Sequence, residues 1–242
     1  MPDVVLVTGA GRESKLGFEV CRQLGEAGLT VILTARNGNA AASMARKLSD
    51  GLEGRVIGHQ LDVTDPQSWM AIIDLIQERF GVLDVLINNA AGSAMYGEQA
   101  TDTDLEVTKV IFENSFFGPW SMIQDALPLL RASVNPRIVN VSSGAGSHGD
   151  NTFGLTSGNA VGPSYATAKA ALNALTALMA QQIGPRIKIN AVCPGLTATF
   201  PGGREMGARP VDEGARGIVW VATLPTNGAT GGFFRDGQRI AW

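Results

Sequence analysis

Short β-branched runs alternate with helix-patterned stretches along almost the whole chain, and that alternation leaves few folds open. Residues 4–7, 31–33, 56–63, 82–87, 137–141, 187–192 and 232–234 read as strands. Helical patterns lie between them: from near Leu16, then over about 40–48, 66–79, 104–130, 163–183 and 211–224. Asp65-Pro66 is a helix start with proline at the first helical position. The 82–87 run is apolar except for Asp84, which suits a strand buried on both faces. Strands joined through helices form βαβ units. The expectation is an α/β chain with a doubly wound parallel sheet of about seven strands and helices on both faces. With no internal repeat or low-complexity linker, its 242 residues read as one domain, 1–242. Segments 142–162 and 195–210 are rich in Gly, Ser and Asn and read as long loops, which in compact domains usually serve binding.

Composition removes several function classes. Nineteen basic against 22 acidic residues give a net charge of −3, so no nucleic-acid footprint is expected. No apolar run is long enough to span a membrane and no signal peptide is evident, so a cytoplasmic protein without membrane contact is expected. Cys21 and Cys193 are too few for a disulfide framework and read as buried thiols. His59 and His148 are the only histidines, no Cys/His cluster has metal-ligand spacing, and no metal is expected.

Two local patterns carry chemistry. Thr8-Gly9-Ala10-Gly11 follows the first strand and leads into a helix whose packing glycine is Gly17. Such glycines let the backbone approach a pyrophosphate at a helix N-terminus. At the end of the second strand an acidic residue would bind a ribose 2′-hydroxyl, but Thr34-Ala35-Arg36 stands there. Arg36, with Arg12 or Lys15, suits a 2′-phosphate, which favours NADP(H) over NAD. The second pattern is Tyr165-Ala-Thr-Ala-Lys169. Spacing of i, i+4 puts phenol and ammonium on one helical face, and a nearby cation favours the phenolate. Most such pairs are surface decoration; the surrounding motifs raise this one.

Those motifs occur in a set order: Thr8-Gly9 with Gly17; Leu61-Asp62-Val63; Asn88-Asn89-Ala90; Asn114 four residues before Gly118; Ile138-Val139-Asn140-Val141-Ser142-Ser143; Tyr165 with Lys169; and Asn190-Ala191-Val192-Cys193-Pro194-Gly195, then Thr199. Over essentially its whole length the chain resembles the short-chain dehydrogenase/reductase family. Leu33-Thr34-Ala35-Arg36 and the end, Gly231-Gly232-Phe233-Phe234-Arg235-Asp236-Gly237, resemble its NADPH-dependent carbonyl reductase branch. The resemblance implies a Rossmann-type fold and reduction of a ketone or aldehyde carbonyl to an alcohol. It implies Tyr165 as general acid, Lys169 on the nicotinamide ribose, Ser143 on the substrate carbonyl and Asn114 on a relay water. It also implies cofactor contacts at Gly9, Gly11, Arg12, Lys15, Leu16 and Gly17 of the glycine loop, at Arg36, at Asp62 and Val63 beside the adenine, and at Asn89 and Ala90. Pro194, Gly195, Thr197 and Thr199 would cover the nicotinamide.

Three departures stand out. The glycine loop is two residues longer than the usual form, with Lys15 in place of a glycine. That length matches related enoyl-thioester reductases, which place lysine seven positions after the tyrosine; here that position is Leu172. Asn88-Asn89-Ala90-Ala91-Gly92 carries one extra alanine. Ser143 and Tyr165 stand 22 residues apart, wider than usual, so 144–162 is expected to shape the substrate entrance. Met95, Phe117, Trp120, Phe153, Phe200 and Met206 are candidates for an apolar pocket, although such residues are more often core. Alternatives are a non-catalytic NADP(H)-binding sensor or scaffold and a ketoacyl-thioester reductase. A hydrolase built on Ser147 and His148 is discounted, because Ala145 stands where a nucleophile elbow needs glycine. The expected partner is a small carbonyl or alcohol substrate, with a homo-oligomer as an open possibility.

Overall fold

Alternate side chains of one strand point to opposite faces of a sheet, so a strand buried at every position needs cover on both sides. β1 (Val4–Val7) is buried throughout. In a computed structural model describing residues 2–49, 52, 55–93, 97–158 and 161–242, both sides are covered by helices. The chain continues through α1 (Leu16–Glu26), β2 (Thr30–Ala35), α2 (Gly38–Ser49), β3 (Val56–Gln60), α3 (Pro66–Arg79) and β4 (Val85–Asn88). Then come α4 (Leu105–Phe112), a π-helical segment (Glu113–Phe117), α5 (Gly118–Ala132), β5 (Arg137–Val141) and α6 (Pro163–Gln182). β6 (Lys188–Val192), α7 (Val211–Ala222), β7 (Phe233–Arg235) and β8 (Gln238–Arg239) complete it.

The sheet order is β3-β2-β1-β4-β5-β6-β7-β8, parallel except for the β7–β8 hairpin. The order reverses between β1 and β4, and the crevice beyond the strand ends there is where such sheets take ligands. Val5, Val7, Val31 and Leu33 face α1, α2 and α7 through Val20, Leu24, Ala41, Leu48, Ile218 and Val221. Val4, Leu6, Ile32, Ile138 and Ile189 face the other way, toward Ile72 and Ile76 of α3 and Met122, Ile123 and Leu130 of α5.

The expected strands and helices are found, with four corrections, the last being that the 82–87 strand starts only at Val85. An eighth strand exists, because Asp236 (φ 53°) and Gly237 (φ 74°) turn the chain back on β7. The 56–63 strand stops at Gln60, and Asp62 already bonds the start of α3 through its amide to Ser68 Oγ (2.9 Å). The single helix over 104–130 is instead three segments. Pro119 has no N–H to give to the carbonyl four residues back, so the turn widens to π register around Asn114. Asp84 precedes β4, and its buried carboxylate accepts from Val4 N (2.8 Å) and Ser133 Oγ (2.5 Å).

Candidate active site

The end of β5 meets α6 through a ladder of buried polar bonds. Asn88 Nδ2 donates to Asn140 Oδ1 (2.9 Å), Asn140 Nδ2 to Thr176 Oγ1 (2.8 Å), and Ser142 Oγ to Asn173 Oδ1 (2.6 Å). Asn173 Nδ2 in turn donates to Gly146 O (3.1 Å). Gly146 belongs to a 3-10 turn, Gly144–Gly146, that lies directly on α6: a Cβ there would stand 2.5 Å from the Lys169 carbonyl carbon and the Ala170 nitrogen. The turn that follows Ser143 thus rests on α6 at Lys169, which shares a helical face with Tyr165.

Within that face, Lys169 is 2% exposed and its Nζ stands 5.6 Å from the centre of the Tyr165 ring. The ammonium donates to Val141 O (2.8 Å). Burial pushes Lys169 down to about 8, against a weaker opposing pull from the Cys193 sulfur. Ser143 Oγ accepts from Ala145 N (3.2 Å), which caps the turn and leaves the hydroxyl hydrogen as a donor. Asn114 lies in the π segment, where its Nδ2 donates to Val110 O (2.9 Å). π turns recur at functional sites because they shift main-chain groups out of helical register.

The glycine turn after β1 is equally built. Gly9 has φ 72°, and a Cβ there would stand 2.8 Å from Ala90 Cα. A Cβ on Gly17 would meet Asn89 Nδ2 at 2.5 Å. Asn89 Nδ2 holds the turn by donating to Thr8 O (2.8 Å) and Gly9 O (3.1 Å), while Thr8 Oγ1 accepts from Asn89 N and Ala90 N (3.0 and 2.9 Å). Gly11 packs on Ala35, and Arg12 and Arg36 are exposed. Lys15 is elsewhere: its ammonium donates to Thr199 O, tying the glycine loop to the loop after β6. Leu16 opens α1.

The residue profile described as short chain dehydrogenase matches residues 3–205. The chain is a short-chain dehydrogenase/reductase. This family member is 32% identical to salutaridine reductase of Papaver bracteatum, over 98% of the chain and 94% of that protein. It is 31% identical to carbonyl reductase (NADPH) 3 of Rattus norvegicus, over 92% and 91%. The solved structure of salutaridine reductase from Papaver somniferum superposes with a TM-score of 0.78 at 29% identity, over 97% of this chain and 99% of that one. An oxidoreductase of this family is therefore in hand.

The remaining sequence candidates fall in several places. Asp62 Oδ1 accepts from Thr64 N (2.9 Å), and the Val63 side chain lies in the core. Thr197 is buried, with Oγ1 donating to Pro194 O (3.1 Å) and Gly195 O (3.2 Å). Phe153 and Met206 line a cavity of about 920 Å3 with Gly195, Leu196 and Trp220. Phe117 instead lines a smaller recess with Leu105 and Phe112, and Trp120 packs edge-on against Phe116. Phe200 follows Thr199 in the loop after β6, and Met95 lies outside the described residues. Ser147 is wholly buried and donates to Ala241 O (2.9 Å), a structural role. Sequence reasoning missed Asn173, although 165, 169 and 173 repeat every four residues along one helical face. It also missed the grouping of Cys193, Arg209 and Arg235, for which no local pattern exists.

Proposed function

We propose that this oxidoreductase reduces a ketone or aldehyde to the alcohol with NADPH, and that Tyr165 supplies the proton. The observation that carries the reading is Tyr165 paired with the buried Lys169 on α6, next to the turn that follows Ser143. Relatives support it by name: one is called a carbonyl reductase with NADPH, another a reductase. Gly9, Gly11 and Gly17 let the turn before α1 close against Ala90, Ala35 and Asn89, which sets the N-terminus of α1 beyond β1, where a pyrophosphate would sit. Arg36 and Arg12 fit a 2′-phosphate, and no acidic residue opposes them at the end of β2.

A bound nicotinamide supplies the hydride; the chain supplies position and the proton. Ser143 donates its hydroxyl hydrogen to the carbonyl oxygen. Tyr165 delivers its phenol proton to the same oxygen as the carbonyl becomes a hydroxyl. Lys169 holds the cofactor ribose and, while charged, favours the phenolate left behind. Asn114 orients a relay water. Pro194, Gly195, Thr197 and Thr199 cover the cofactor from the loop after β6.

The test mixes the protein and NADPH with ketones, aldehydes and a ketoacyl thioester. Turnover on a ketone or aldehyde is expected, and Tyr165→Phe should lower it about 10²–10⁴-fold while NADPH still binds. Near-normal turnover in that variant rules out Tyr165 as the acid. NADPH binding with no turnover across the panel favours a sensor or scaffold, and consumption of the thioester alone favours a ketoacyl-thioester reductase. A cytoplasmic homo-oligomer belongs to the same reading. Leu105, Val110 and Phe117 leave an exposed apolar strip on α4 and the π segment. A single-chain mass of 25.3 kDa in light scattering would exclude the oligomer, and recovery in a membrane fraction would exclude the location.

A further inference from the structure

We propose that Arg235 and Asp236, neighbours at the tip of the β7–β8 hairpin, clamp the two loops that flank the carbonyl site and thereby determine how bulky a ketone it accepts. The proposal rests on the carbonyl-reductase reading for its substrate, though not for its geometry.

Each residue makes its ion pair with a different loop, and Arg235 also touches Cys193 at the start of the second. The Arg235 guanidinium donates to the Asp150 carboxylate in the segment between Ser143 and Tyr165. Side-chain exposures of 22% and 6% leave this pair little screened by solvent. The other Asp150 oxygen accepts from Thr152 N (2.9 Å) and Phe153 N (3.1 Å), so the grip on Asp150 also sets the path of Phe153. Burial pushes the Asp150 carboxyl up, but bonds from Arg235, Phe153 and Thr152 outweigh it and hold the group below its ordinary value. Arg235 Nε and Nη2 also point to Cys193 Sγ, each at 3.4 Å. That sulfur accepts from Gly144 N (3.2 Å), directly after Ser143, and from Gly195 N (3.4 Å).

Asp236 has the opposite charge and holds the opposite loop. Its two oxygens take the Arg209 guanidinium, with Nη2 to Oδ2 at 3.0 Å and Nη1 on Oδ1. Arg209 closes the base of the loop after β6: its N donates to Leu196 O (2.9 Å) and its O accepts from Ala198 N (2.9 Å). Its guanidinium lies on Gly195, where a Cβ would stand 2.8 Å away.

The cavity of about 920 Å3 takes Phe153 from the first loop and Leu196 and Met206 from the second, with Glu213 and Arg216 of α7 and with Arg209, Arg235 and Asp236 in its wall. Phe153, Leu196, Met206 and Trp220 supply its apolar surface. A recess of that size takes a drug-sized ligand. A ketone carrying a bulky apolar group would place that group here, and a loosened loop would spoil its fit without touching a small ketone.

The test uses Arg235→Met and Asp236→Asn, asparagine being tolerant of the left-handed turn. In hydrogen–deuterium exchange, Arg235→Met should expose amides of 150–154 and spare 198–208, and Asp236→Asn should do the reverse. Asp150→Asn attacks the first grip from the other side, keeps an oxygen for Thr152 and Phe153, and should reproduce Arg235→Met if that variant folds poorly. Kinetically, each should raise KM for a bicyclic ketone about tenfold or more, with KM for cyclohexanone nearly unchanged; Kd for NADPH should stay nearly unchanged in Arg235→Met and Asp150→Asn, which spare the loop after β6. Equal loosening of both loops by either variant, unchanged exchange, or equal KM changes for both ketones would overturn the proposal. A wild type that reduces no ketone would sink the carbonyl-reductase reading alone, and the exchange pattern would still decide the clamp.

Discussion

Burial holds the Lys169 ammonium at about 8 because apolar surroundings disfavour its charge, and this ties stability to pH. The ordinary value is 10.5, so between pH 8 and 10.5 the unfolded chain binds a proton that the folded chain has released. Stability from this group therefore rises with pH through that window. Below it, the buried charge costs about 3 kcal/mol, comparable to the roughly 1–3 kcal/mol lost when Val141 O has no donor. Lys169→Met should thus be close to neutral in stability at pH 7. By pH 9.5 the wild type should gain on the variant by about 2 kcal/mol. Urea unfolding of both cofactor-free proteins checks this, and a pH-independent difference would contradict it. Arg36 poses a second question at this scale. It is exposed directly after Ala35, on which Gly11 packs. Arg36→Asp should turn attraction for a 2′-phosphate into repulsion and lower the preference for NADPH over NADH on the order of ten- to a hundredfold. Dissociation constants for both nucleotides test it; an unchanged ratio removes Arg36 from cofactor choice.

The element that matters most is the junction between β5 and α6. Ser143 leaves the strand end, the 3-10 turn follows at once, and Gly146 lets that turn rest on the backbone of Lys169 and Ala170. A methyl group at 146 has nowhere to go, because its neighbours are main-chain atoms. Gly146→Ala should therefore lift the turn from α6, costing about 1–3 kcal/mol as an overpacked contact does. The same displacement should move Ser143 relative to Tyr165 and lower ketone turnover about a hundredfold, with NADPH affinity less affected. Denaturant midpoints and steady-state rates measure the two effects. Wild-type turnover in the variant would mean that this contact does not position Ser143. The buried bonds from Asn140 to Thr176 and from Ser142 to Asn173 hold the same junction from within.

Across the whole molecule, one sheet separates two apolar layers, and neither layer is complete without the strands they share. Val5 and Val7 serve one side while Val4 and Leu6 serve the other, so losing β1 would open both. The expected behaviour is one cooperative unit, in line with a single domain over 1–242. The proposed cofactor path touches α1, β2, α6 and the loop after β6, so NADPH should stabilise that unit as a whole. At a hundredfold excess over Kd the gain should be about 2.7 kcal/mol. Calorimetry with and without NADPH tests both points. Two separable transitions, only one of which moves, would argue against a single unit.

Fold class, the order of the elements and the Tyr165–Lys169 pair were legible in the chain itself, because each rests on short-range periodicity. Alternation at two residues marks a strand, and spacing of four puts side chains on one helical face. Glycine placement after β1 was legible for the same reason. Other features were decided only when the loops closed. Lys15 has a side chain suited to phosphate, yet its ammonium meets Thr199, 184 residues away, because the loop after β6 folds back over the glycine turn. Arg235 meets Asp150 across 85 residues and Cys193 across 42. Local propensity sets the direction of a side chain within its element, whereas a partner is set by the path of the chain between elements. Glycine- and serine-rich loops leave that path open until the packed layers on both sides of the sheet pin their ends.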